Sequence, residues 1–169
     1  MKKYRFTALM ILIIVQLCVP AYMVGSKYYT LKRGTEVKFE VRPFDPYDPF
    51  RGRYVSIRPE LFMNDGINRY KEYGIISIDE NGYAKIEKTQ KEKPKDELYI
   101  RSKAKNFYNL PIDRYYMNEK LAPKAEKLTW SLPSDNKVYV TARILNGSLV
   151  VSGLYVNDVP IEDYVRSAE

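Results

Sequence analysis

Two periodicities divide the chain. From Phe6 to Val24, nineteen positions are apolar except for Thr7, Gln16 and Tyr22, and as a helix this run spans about 28 Å, close to the roughly 30 Å hydrocarbon core of a bilayer. From Gly34 the period drops to two. Thr35, Val37, Phe39 and Val41 alternate with Glu36, Lys38, Glu40 and Arg42, the pattern of a strand with one face on a core and one face in water. The same alternation at Tyr54-Val55-Ser56-Ile57 predicts a second strand, which Pro59 ends or marks as an edge.

Further along, Asn-Gly pairs punctuate the pattern. Ile75 to Ile78 and Tyr83 to Lys88 flank Asn81-Gly82, and Lys137 to Leu145 and Ser148 to Val156 flank Asn146-Gly147. Each reads as a hairpin of two antiparallel strands, since Asn-Gly is the strongest short-range hairpin signal. Val138, Val140, Ala142 and Ile144 share one face of the second hairpin. Leu98 to Ala104 opens another strand, and Leu121 to Leu128 predicts a short helix whose first turn tolerates Pro123. Lys88 to Asp96 alternates charge around Pro94 and is expected as a solvated loop, and the tail from Glu162 as a frayed turn of helix. These elements predict a mainly β fold. An N-terminal transmembrane helix (residues 1–26) precedes a compact antiparallel β domain with one short helix (residues 27–169).

Lys2, Lys3 and Arg5 precede the apolar run without an acidic residue, which favours a cytoplasmic N-terminus and an extracytoplasmic domain. Lys27, Lys32, Arg33, Lys38 and Arg42 follow it, but a folded domain crosses largely regardless of its charge. Pro20 and Gly25-Ser26 offer an alternative, a cleaved signal peptide, yet the apolar run exceeds the usual length of one, so a retained signal-anchor is expected. Residues 6–24 are thereby expected to contact membrane lipid.

Composition then narrows the chemistry. Sixteen tyrosines and ten prolines against eight glycines suit strands and sharply turned loops. Removing Lys2, Lys3 and Arg5 from the 28 basic residues leaves 25 against 21 acidic ones, a net charge of +4. So small an excess describes a mixed, solvated surface, and nucleic-acid binding is not expected. The chain has no histidine, and its single cysteine, Cys18, lies in the apolar run. Hydrolases with a histidine base, the usual zinc sites and haem are therefore excluded, as is a disulfide framework, and no cofactor or metal is expected.

The stretch from Pro43 to Glu60 holds most of the candidate chemistry. Pro43, Pro46 and Pro49 keep Arg42, Asp45 and Asp48 extended, and each aspartate can accept hydrogen bonds from amides just ahead, giving a bent, preorganised loop. Asp45 and Asp48 supply fewer convergent oxygens than calcium normally needs, so they read as turn formers. Arg51, Arg53 and Arg58 beside Tyr47 and Tyr54 form one basic and aromatic cluster, and Arg114 beside Tyr115 and Tyr116 forms another, with Asp113 or Glu119 available as internal partners. If the clusters meet in space, they define a contact surface for a protein or peptide.

The run from Arg51 to Pro59 resembles the signature of the membrane-anchored GDYXXLXY family, with its Asp-Pro-x-Asp lead-in at Asp45-Pro46-Tyr47-Asp48. Gly52 and Tyr54 fit the signature and Ile57 replaces its leucine. Arg53 stands where it has aspartate and Pro59 where it has its last tyrosine. The segment from Leu110 to Glu119 and the closing hairpin are similar too. The resemblance implies a single anchor, a mostly β domain outside the cytoplasm and frequent genomic association with multi-pass membrane proteins. It names no reaction. The expected function is a non-catalytic binding or accessory module for an integral membrane partner, with Asp45, Asp48, Arg51, Gly52, Arg53, Tyr54, Ile57, Arg114, Tyr115 and Glu119 as its binding residues. Two alternatives stand beside it. One is an anchored serine–lysine peptidase using Ser56 with Lys38 or Lys85, and the other is a protein binding cell-envelope polymer through exposed tyrosines.

Overall fold

A computed structural model describes residues 2–43, 54–61, 67–102, 107, 110, 112, 114–118, 120–131 and 136–167 of the chain, with 2, 3, 5, 42, 43, 54–58, 114, 126, 127 and 129–131 described by their backbone alone. Helix α1 (Lys2–Arg33) runs well past the apolar segment, and Phe6–Arg33 is the helix among the described residues long and apolar enough to cross a membrane. Only Gly34 separates it from strand β1 (Thr35–Pro43). A Cβ on Gly34 would lie 2.6 Å from the Thr30 carbonyl oxygen, 3.0 Å from that of Ile144 and 3.1 Å from Arg143 Cβ, so the close passage of helix and sheet needs a glycine there.

The remaining strands are β2 (Tyr54–Pro59), β3 (Tyr73–Ile78), β4 (Ala84–Gln90), β5 (Tyr99–Arg101), β6 (Arg114–Tyr116), β7 (Val138–Leu145), β8 (Ser148–Val156) and β9 (Val159–Pro160), with helices α2 (Ala122–Ser131) and α3 (Ile161–Ser167). The fold is mainly β, as the alternation predicts. A six-stranded antiparallel sheet runs β6-β2-β1-β7-β8-β9, and a three-stranded one runs β4-β3-β5. Backbone bonds join the two sheets: Lys38 N donates to Gly82 O across 2.9 Å, Ile86 N donates to Leu61 O, and Arg101 N donates to Gly147 O across 2.9 Å.

The second hairpin turns on Asn146-Gly147 alone, whereas the first connects over residues 79–83, with Gly82 and not Asn81 in the left-handed region. Asn146 and Gly147 have φ of 49° and 79°, and Gly82 has 84°. Asp79 Oδ1 accepts from the amides of Asn81 and Tyr83, which ties the first turn. In the second hairpin, Leu149 and Val151 pair with Ile144 and Ala142, whereas Leu154 and Val156 pair with Val140 and Val138. The phase changes at Ser152, a bulge that returns apolar residues to the core face after one extra position.

Val37, Phe39 and Val41 of β1 meet Ile86, Ile100, Phe107, Ile112 and Leu154 in one core that both sheets cover. Each of these large side chains contributes about 1.5–3 kcal/mol by leaving water. Helix α2 starts one residue later than predicted and puts Pro123 in its first turn, with Ala122 and Ala125 buried. Two expectations change. The tail forms a packed helix because Ile161 and Val165, four residues apart, are both buried. The 88–96 segment begins as the end of β4 and buries Pro94, an apolar ring between charged neighbours.

Candidate functional site

The two stretches singled out in the sequence become neighbouring strands. β2 carries the second half of the signature and lies between β1 and β6, with Tyr54 opposite Tyr116, Val55 opposite Tyr115, Ser56 opposite Arg114 and Ile57 opposite Pro43. Pro59 thus ends a strand that is flanked on both sides. The ladder places the backbones of Tyr54, Ile57, Arg114 and Tyr115 within one patch. Asp45, Asp48, Arg51, Gly52, Arg53 and Glu119 lie outside the described residues, as does Asp113.

Within the patch, Tyr116 is 62% exposed, whereas Tyr115 packs against the core. The Tyr115 hydroxyl donates to Glu162 Oε1 across 2.8 Å. Burial, and then the bond to Glu162 and its charge, push the Tyr115 phenol well above its ordinary range. Glu162 sits in the first turn of α3, where a carboxylate also suits the helix dipole. Sequence reasoning missed this partner. Glu162 stands 47 positions from Tyr115, and the sheet must bend until β6 approaches β8 before they meet.

A second cluster, also missed, occupies the opposite face of β1, β7 and β8. The rings of Tyr139 and Tyr155 stack at 5.2 Å with an interplanar angle of 7°, and Tyr83 meets Tyr139 edge-on at 5.7 Å. Lys38 Nζ lies 5.1 Å from the Tyr139 ring centroid and 5.7 Å from that of Tyr83. The Tyr139 hydroxyl donates to Asp158 Oδ1 across 2.7 Å, and burial together with this bond raises its pKa. Burial and the charges of Asp158, Glu40 and Asp79 raise that of Tyr83. Tyr139 is only 4% exposed, so these groups cover one another and fasten the Asn81-Gly82 hairpin to the main sheet. The bulge at Ser152 is what sets Tyr139 opposite Tyr155.

The serine–lysine pairing can be placed by register. Lys38 and Ser56 leave the Val41–Pro59 pair in opposite directions, about 20 Å apart along the ladder, and Lys85 pairs with Ser77 in the other sheet. Among the described residues no three metal-ligating side chains converge.

A long apolar helix joined through Gly34 alone to an antiparallel β domain fits a membrane-anchored β protein. The family model of the GDYXXLXY protein matches residues 16–154, and the chain belongs to that family. No match was found among curated proteins or among solved structures. The strand whose sequence resembles the family signature is β2, held between β1 and β6.

Proposed function

We propose that this protein is a single-pass signal-anchor protein of the cell membrane. Its N-terminus is cytoplasmic, and its extracytoplasmic domain binds an integral membrane partner without catalysing a reaction. The β2–β6 ladder and the stretch from Asp45 to Arg53 form the contact surface. The observation that carries this reading is the pairing of Tyr54 with Tyr116, which unites two stretches more than fifty residues apart in sequence. Exposed tyrosine supplies large contact area at little cost in side-chain entropy. The mount supports a membrane partner in particular, since a domain held directly on its helix meets multi-pass proteins already constrained to the same plane.

Crosslinking and mass spectrometry on native membranes test this, comparing tagged full-length protein with an Arg51→Ala, Tyr54→Ala variant whose folding is verified by circular dichroism. Capture of one multi-pass protein by the first and its loss from the second are expected. Identical capture by both, or capture by neither, rejects the surface.

A further inference from the structure

The junction between helix and domain sets the height of one part of the domain above the bilayer. Two contacts determine it. Gly34, at the top of α1, packs against Ile144 and Arg143 of β7, and its carbonyl accepts from Arg143 Nη1 across 3.3 Å. Lys27, lower on the same helix, donates through Nζ to Ser148 Oγ across 3.2 Å. Thr30 between them is buried. The β7–β8 hairpin therefore runs back down α1, and its Asn146-Gly147 tip lies level with Lys27. Lys27 lies three positions beyond Val24 on the helix, a rise of about 4.5 Å. The headgroup layer beyond each side of the hydrocarbon core is roughly 5–7 Å deep, so the tip falls within it.

The surroundings of the tip have the chemistry of that layer. The Tyr99 ring closes over Gly147, where a Cβ would come 2.6 Å from its Cε2. Lys93 Nζ stands 6.0 Å from the centroid of the same ring. Arg101 bonds the Gly147 carbonyl through its backbone, and its exposed guanidinium pairs with Glu72 at 2.7 Å. Tyr28 and Tyr29 are 63% and 60% exposed on the helix beside it. Tyr4 and Tyr28 are about 36 Å apart along the helix, the spacing of two interfacial aromatic belts.

We infer that the β7–β8 tip is a lipid-binding surface, at which Lys27, Lys93 and Arg101 engage the phosphates of headgroups and hold the domain down on the bilayer. The full-length chain in lipid nanodiscs tests it, with a fluorophore at Leu145→Cys near the tip or at Val159→Cys in β9, beyond the far end of β8, in a Cys18→Ala background. With a headgroup-attached quencher in discs containing an anionic lipid, quenching at position 145 is expected to exceed that at 159 several-fold. It should fall at high salt and in a Lys27→Glu, Lys93→Glu variant. Equal quenching at both positions overturns the placement. Quenching at 145 that neither salt nor charge reversal changes overturns the role of the cations.

Discussion

The hydroxyl of Tyr115 donates to Glu162 across 2.8 Å, joining β6 at one edge of the main sheet to the helix that follows β9 at the other. The pair is one of the contacts, beside those of α2 with β2 and α3, by which β6 and the neighbouring strand β2 meet the end of the chain.

Tyr115→Phe is expected to lower stability by about 1–2 kcal/mol, toward the lower end of the range for a charge-assisted bond because the pair is half-buried. Glu162→Gln should cost less, since an amide oxygen still accepts. Urea unfolding of both single variants and the double variant gives the coupling, and non-zero coupling is required. A phenylalanine variant as stable as the parent removes Tyr115 as a tie.

Alkaline pH provides a second test. Tyr83, Tyr115 and Tyr139 all hold their protons above the ordinary tyrosine value of 10.0 in the folded state. A raised folded pKa contributes stability that is complete below the unfolded value and is lost as pH climbs toward the folded one. Stability should therefore fall as pH rises beyond 10, and phenolate absorbance should show a late-titrating class that appears only with unfolding. Uniform titration of every tyrosine near 10 contradicts these contacts.

Glycine substitutions separate rigid from yielding surroundings. At Gly34 a Cβ meets two backbone carbonyls, which cannot move without shifting α1 against β7, and Gly34→Ala should cost about 1–3 kcal/mol. Gly25, inside α1, has nothing within 4 Å, so Gly25→Ala serves as a clash-free control, with no loss expected because alanine favours a helix. Protease sensitivity at the helix–sheet junction should rise in the first variant alone.

Gly153→Ala should cost less than Gly34→Ala. Its nearest obstacle is the Tyr155 ring, 2.7 Å from the built Cβ, and a ring can swing away. The loss is the stacking on Tyr139, about 0.5–1.5 kcal/mol, and near-ultraviolet circular dichroism should report the displaced ring. An unchanged spectrum shows that the ring already has room.

The strands were legible where period two was clear, as at Val37-Phe39-Val41, or where an Asn-Gly turn marked a hairpin, as around Asn146-Gly147. The phase switch in β8 was not, since apolar or aromatic residues run consecutively over 149–151 and again over 154–156. Ser152 and Gly153 at the switch mark the bulge, and only with it does Tyr139 face Tyr155. The candidate site was readable as two separate stretches. Their adjacency was not, because the pairing of Ser56 with Arg114 and the reach of Tyr115 to Glu162 depend on sheet curvature, which no local pattern encodes. Helix α3 was underestimated because two apolar residues in a charged tail, Ile161 and Val165, carry too little periodicity to announce a packed face.

The most direct test of the β2–β6 surface is site-specific photo-crosslinking in native membranes, with the photoreactive residue placed at Tyr116 on the proposed surface or at Glu87 on β4 of the other sheet, both exposed. Binding through β2–β6 predicts that position 116 captures one multi-pass membrane protein and position 87 does not. Capture of the same proteins from both positions, or of none from position 116, contradicts it.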